Sequence, residues 1–172
     1  MQIVRCDFNK LDELDEFYGD VIDYLESTFN YPFWSHNYIN KSSIKRAIER
    51  GEQYCCLDND KVVGAFVLNE DPQGSYEKGN WSEDLAPGEF EVIHTFAVAI
   101  NEGHKGIGSF MVSSIIDKAK RDGYKALRLD VVPRNTPASS LYIKHGFQSA
   151  GSVDLDRGYD EIPIFDLYEL NF

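Results

Sequence analysis

Glu91-Val-Ile-His-Thr-Phe-Ala-Val-Ala-Ile100, continuing as Asn101-Glu-Gly-His-Lys-Gly-Ile-Gly-Ser109, is the stretch on which the fold turns. Its first ten residues are mostly apolar or β-branched and read as a strand buried on both faces. A glycine-rich turn follows, and then a segment that runs to Asp122 and stops at Gly123, as a helix does. Downstream, Leu127 to Val132 reads as the next strand. Asn135-Thr136-Pro137 opens a short helix, with proline near the first position, where a missing N–H costs nothing, and Gly146 closes it. Phe147 to Val153 and Ile162 to Asn171 complete the chain as strands.

Upstream, Met1 to Asp7 alternates weakly as a strand. Leu11 to Phe29 repeats apolar residues (Leu11, Leu14, Phe17, Tyr18, Val21, Ile22, Leu25) at helical spacing after an Asn9 cap. The aromatic stretch Asn30 to His36 is broken by Pro32, and a short helix begins near Ser42 or Ser43 and ends at Gly51. Gln53 to Leu57 and Lys61 to Leu68 read as strands joined by Asp58-Asn59-Asp60 in a tight hairpin. Asn69 to Gly88, rich in Gly, Pro, Asp and Ser, is long enough to act as a substrate lid. The second half, strand, helix, strand, helix, strand, strand, argues for an α/β layer with a parallel pair at its centre.

The 172 residues suit one domain, 1–172, without linkers or repeats. A formal charge of −12 spread along the chain repels nucleic acid and anionic membranes and favours a cationic ligand. The cysteines, Cys6, Cys55 and Cys56, are odd in number, and two are neighbours whose side chains diverge on a strand, which argues against a disulfide framework. With no leader-like N-terminus and no long apolar run, a cytoplasmic address and no membrane association are expected.

Gly103-His104-Lys105-Gly106-Ile107-Gly108-Ser109 lies between a strand and a helix, where backbone N–H groups and the positive end of the helix dipole, roughly half a charge, can hold a phosphate. Lys105 and His104 add local positive charge. A Walker A loop would need Gly-Lys followed by Ser or Thr, and a dinucleotide turn would need a third glycine after Gly108; neither is present. Many α/β proteins make the same turn for purely structural reasons.

Val98-Ala-Ile-Asn-Glu-Gly-His-Lys-Gly-Ile-Gly108, followed by Asn135-Thr-Pro-Ala-Ser-Ser-Leu-Tyr-Ile-Lys-His-Gly-Phe147, resembles the paired signature of the GNAT superfamily of acyl-CoA-dependent N-acyltransferases. The resemblance covers Glu91 to Phe147 in detail. It implies a mixed α/β fold: a mostly antiparallel sheet of six to seven strands with a central splayed parallel pair and helices on both faces. It implies acetyl-CoA as co-substrate, no metal, and a primary amine of a small molecule as acceptor, attacked directly in a ternary complex. Gly103 stands where the family usually has Arg or Gln, so phosphate binding would rest more on backbone N–H groups. The pantetheine arm would lie in the splay between the strands ending at Val98 and Val132, along Phe96, Ala97 and Val98, with Asn135 touching the same arm. The amide of Phe96 would polarise the thioester carbonyl. Homodimers are common in such families, and one is the assembly this analogy suggests.

The same resemblance puts Tyr142 at the general-acid position near the sulfur; as a bare residue it reads equally as a half-buried helix tyrosine. An amine with a lysine-like pKa of about 10.4 must lose a proton before or during attack. His94 and Asp130 are the candidate bases, directly or through water, and Glu91 is a third of opposite strand parity, which a bulge would reverse. His94 also reads as a histidine satisfied within the sheet, and Asp130 as the ion-pair partner of Arg128 or Arg134. Phe33, Trp34, Tyr76 and Trp81, with Glu70 and Asp71, mark the region for an acceptor pocket, with Trp34 and Trp81 as alternative packing anchors. A peptide acetyltransferase and a noncatalytic acyl-CoA sensor are the competing function classes.

Overall fold

The computed structural model describes residues 1–102 and 106–172. In chain order the main elements are β1 (Gln2–Arg5), α1 (Leu11–Ser27), α2 (Lys41–Glu49), β2 (Gln53–Asp58), β3 (Lys61–Asn69), β4 (Phe90–Val98), α3 (Ile107–Asp122), β5 (Ala126–Val131), α4 (Thr136–Lys144), β6 (Gln148–Asp154) and β7 (Ile164–Asn171). The seven strands form one open sheet in the order β1-β2-β3-β4-β5-β7-β6. The expected parallel pair is β4 with β5, Phe90 to Val92 against Ala126 to Arg128. The pairs β1–β2, β2–β3, β5–β7 and β6–β7 are antiparallel.

Two compact units divide the chain. Residues 1–68 and 94–111 form the first, residues 69–93 and 112–172 the second, and β4 and α3 each pass from one to the other. The core of the first is built on one face of α1, where Leu14, Phe17, Tyr18, Val21 and Ile22 recur at the 3.6-residue period, packed with Ile44 and Ile48 of α2 and with Cys55, Val62, Ala65 and Ala97. The core of the second gathers Tyr76, Phe90, Val92, Ala126, Ala150, Leu155, Phe165 and Leu167.

Local chemistry accounts for the ends. Asp58 pairs with Lys61 across a two-residue loop whose residues, Asn59 (φ 48) and Asp60 (φ 63), both adopt the left-handed conformation that a type I′ hairpin needs and that Asn and Asp tolerate. Asn40 caps α2, accepting from the amides of Ser42 and Ser43, while Ser43 Oγ accepts from the amide of Asn40, so the helix starts at Lys41, ahead of the expected serines. Asn9 is not the cap of α1. A 3₁₀ turn, Phe8–Lys10, runs straight into that helix, and the acceptor is Asp7, whose Oδ1 takes the Asn9 amide at 2.8 Å. The cysteines are free and buried, and the Cys6 thiol donates to Cys55 Sγ at 2.9 Å.

The long 69–88 segment is pinned rather than open. The Asn80 amide donates to the Ala150 carbonyl at 2.7 Å, the Ser75 amide to Leu155 at 3.1 Å, and Tyr76 is 4% exposed. Trp81 packs on Tyr76 and donates its indole N–H to the Tyr76 carbonyl at 2.6 Å. Arg128 lies over both Trp81 and Phe90, 4.2 Å from each ring centre.

In the first unit Gly64 is fixed by space: a Cβ there would collide with the Met111 sulfur and come 3.1 Å from the Ala97 carbonyl oxygen. Gly64→Ala is therefore expected to cost about 1–3 kcal/mol by overpacking, read as a lower urea midpoint. An unchanged midpoint would show that β3 has slack at this position.

Candidate active site

In the middle of β4, Thr95 sits at φ 46. A β-branched residue in the left-handed region is a strained outlier, and such outliers persist only where their surroundings impose them. The imposing contact is visible. The Tyr18 hydroxyl, on the buried face of α1, donates to the Thr95 carbonyl oxygen at 2.9 Å. Burial pushes that phenol above its ordinary pKa, so it remains a donor at all working pH values. His94 and Phe96 flank Thr95; His94 is buried and Phe96 half-buried, its ring 6.4 Å from Phe66, which in turn stacks on Tyr54.

Ala97 is buried and Val98 half-buried beyond them, and the Ala99 amide closes on the Val63 carbonyl at 2.9 Å. Of the glycine-rich turn, Gly103, His104 and Lys105 lie outside the described residues. Gly106 has φ 78, a conformation that favours glycine, and leads directly into α3. The first helical bond runs from the Phe110 amide to the Gly106 carbonyl at 2.9 Å, so by helix geometry the amides of Ile107, Gly108 and Ser109 have no intrahelical acceptor. A left-handed glycine followed by three successive helix-start amides fits a diphosphate.

The second unit holds Tyr142, Asp130 and Glu91, whereas His94 belongs to the first. Tyr142 lies on α4, whose start is capped by Asn135 Oδ1 accepting from the Ala138 amide, with Pro137 in the first turn. It is 5% exposed and meets Phe147 edge-on at 5.4 Å. Burial first, and the Asp130 charge second, raise its pKa, so its proton is firmly held.

Asp130 is heavily engaged. Its Oδ1 accepts from the Tyr76 hydroxyl at 2.7 Å and from Arg157 Nη2 at 2.7 Å, and its Oδ2 from Arg157 Nη1 at 2.8 Å. The same guanidinium donates to the carbonyls of Pro72 and Gln73, tying the 69–88 segment to β5. The ion-pair partner of Asp130 is thus Arg157, and neither Arg128 nor Arg134. Glu91 is buried and faces Lys118 Nζ at 3.3 Å; burial raises its pKa, Lys118 partly offsets this, and its Oε2 has no hydrogen-bond partner among the described residues.

Of the residues expected at an acceptor pocket, Tyr76 and Trp81 serve as anchors of the long segment, Glu70 accepts from the Tyr124 hydroxyl, and Trp34 packs edge-on against Tyr18, while Phe33 is half exposed at φ 54. Sequence reasoning missed Arg157 and the hydroxyls of Tyr18 and Tyr76. The only available signal was that a buried tyrosine must spend its O–H on something. Among the described residues, Asp23, Glu26 and His36 form one exposed group whose ligand atoms lie within 4.8 Å of one another, without further sign of an ion. No described helix is long and apolar enough to cross a membrane.

Arg157→Ala would strand the Asp130 carboxylate and release the 72–73 turn together, a loss expected at about 3 kcal/mol in urea unfolding. Arg157→Lys should recover only part of it, because an ammonium cannot supply the two-pronged contact. Full recovery with lysine would mean that charge alone matters.

A sequence model of the Acetyltransferase (GNAT) family matches residues 14–147. The uncharacterized N-acetyltransferase YvbK of Bacillus subtilis is 27% identical over 135 residues, covering 76% of this chain and 73% of that protein. Among solved structures, a GNAT-family acetyltransferase from Streptococcus agalactiae superposes with a TM-score of 0.79 at 16% identity, over 99% of this chain and 95% of that one. YncA from Salmonella typhimurium, solved with its cofactor acetyl-CoA, superposes with a TM-score of 0.71 at 16% identity, over 99% and 93%. The match spans the strained strand, the helix-start amides and the Tyr142 helix alike, and with it the chain belongs to the GNAT family of acetyltransferases.

Proposed function

We propose that the chain moves the acetyl group of acetyl-CoA onto a primary amine of a small molecule, by direct attack of the amine while both substrates are bound. The observation that carries this reading is Tyr142, a phenol held protonated by burial and by the Asp130 charge, on the helix that bears the family's second motif. A sensor that only binds acyl-CoA has no use for a guarded proton.

Bound acetyl-CoA supplies an activated acetyl thioester. The chain's own groups do the rest. The amides of Ile107, Gly108 and Ser109, with Gly103, His104, Lys105 and Gly106 of the turn, hold the diphosphate. Phe96, Ala97 and Val98 offer backbone groups to the pantetheine arm, and Asn135 joins them. The Phe96 amide donates to the thioester carbonyl oxygen as negative charge grows on it. His94 accepts the proton of the attacking amine, directly or through a water. Tyr142 hydrogen-bonds the departing sulfur. Asp130 is assigned a supporting role: its oxygens already accept from Tyr76 and Arg157, and its charge acts on the Tyr142 phenol. A formal charge of −12 favours a cationic acceptor, such as a polyamine, an amino acid or an aminoglycoside-like compound, in a reducing cytoplasm where three free cysteines persist.

A thiol-release screen with acetyl-CoA across amines and peptides tests the reading. Turnover with small amines is expected, and turnover with peptides alone would overturn it. Tyr142→Phe should lower kcat by roughly 10²-fold while coenzyme A binding survives; near-parental turnover would remove Tyr142 from the chemistry. His94→Ala should lose activity at pH 7 and regain part of it toward pH ~10, where the amine is increasingly neutral by itself. An unchanged pH profile would count against His94.

A further inference from the structure

We propose that Tyr18 is a positioning residue for acetyl transfer: through the carbonyl of Thr95 it sets the direction and the donor strength of the Phe96 amide. The proposal rests on the reading above, in which that amide meets the thioester carbonyl.

The argument starts from the peptide bond. The Thr95 carbonyl and the Phe96 N–H belong to one planar group, and no peptide bond among the described residues is cis, so the two bonds are antiparallel. Whatever fixes the carbonyl fixes the N–H in the opposite direction. The Tyr18 hydroxyl holds the carbonyl at 2.9 Å from the α1 side, with the Thr95 hydroxyl 3.5 Å away. The Phe96 N–H therefore points away from α1.

The holding is built for the purpose. Tyr18 is 1% exposed and wedged edge-on between Phe17 and Trp34, with ring centres 5.3 and 6.4 Å away. The side-chain amide of the buried Gln53 also borders the phenol, and that amide is fixed in turn by the carbonyls of Tyr54 and Phe66. Phenylalanine would fill the same space in this apolar core. The hydroxyl adds hydrogen bonding, its proton going to the Thr95 carbonyl as the shortest contact, and a buried hydroxyl without a partner would be costly. That bond goes to a carbonyl turned out of ordinary strand geometry by the left-handed Thr95.

The second consequence is electronic. A peptide whose oxygen accepts a hydrogen bond is polarised and becomes a stronger donor at its N–H, more so where the surroundings are apolar. Tyr18 O–H, the 95–96 peptide and the substrate carbonyl would then form one chain of hydrogen bonds, strongest when the substrate oxygen carries most charge.

Tyr18→Phe keeps the ring and removes the donor. With acetyl-CoA and the panel amine that releases most thiol, kcat should fall about tenfold, while the calorimetric Kd for coenzyme A stays within about twofold, since the amides of α3 are untouched. A folded variant with kcat within about twofold of the parent would overturn the proposal. A second measurement avoids the variant. In the unmutated protein the Phe96 amide proton should move downfield on adding acetyl-CoA relative to coenzyme A alone, and farther with 3-fluorotyrosine at position 18, a stronger donor of nearly the same shape. Identical Phe96 shifts with the two cofactors, or no response to fluorination, would overturn it. A parent silent toward every amine tells against small-molecule acetylation, and the Phe96 amide then still decides the role of Tyr18; an active parent with an equally active Tyr18→Phe tells against Tyr18 alone.

Discussion

One backbone constraint governs the site: Thr95, branched at its β-carbon, is kept at φ 46 in the middle of β4. A strand left to itself would not adopt this, since the conformation crowds the side chain and breaks the regular alternation of hydrogen-bonding groups. The cost, of order 1–3 kcal/mol for such strain, is met by the first unit's core, in which α1 delivers the Tyr18 hydroxyl to the displaced carbonyl. The helix face that looks like generic packing thus has a specific task, and the residues around Tyr18 keep its hydroxyl in place.

The two units carry different candidate groups. The first carries the peptides of residues 94–98, the amides that open α3 and the His94 imidazole. Under the proposed function such amides would suit an acidic chain, because helix-start amides attract phosphate over a few ångströms whatever the far field. The second carries Tyr142 and Asp130, with Arg157 bridging Asp130 and the 72–73 turn.

Legibility in the sequence followed the range of the interactions. The Asp58-Asn59-Asp60 hairpin, the buried face of α1 and the entry to α3 at Gly106 were readable because each is encoded within a few residues by conformational preference or period. The parallel pair followed from the order of elements. Arg157 was not readable: it reaches Asp130 over 27 residues from an irregular segment, and nothing local distinguishes it from any exposed arginine. The Tyr18–Thr95 bond spans 77 residues. The pattern placed Tyr18 inside but could not say which acceptor it would find. The cap of α1 failed for a smaller reason, since two polar residues separated only by Phe8, Asp7 and Asn9, compete for one turn and only the packed chain chooses.

The state of Tyr142 narrows what it can contribute. Its pKa is raised above the ordinary phenol value of about 10, whereas a free thiol titrates near 8.5. Complete transfer of its proton to a thiolate would therefore run uphill. A hydrogen bond to the sulfur as charge develops carries no such penalty, and in a site shielded from water it is worth more than in bulk. The proton that finally leaves with coenzyme A is then best drawn from the nitrogen, whose acidity rises sharply as it becomes bonded to the acetyl carbon. Burial and the Asp130 charge keep the Tyr142 phenol protonated across neutral pH, so under the proposed function the pH dependence of the reaction would belong to the amine and its acceptor, not to the phenol.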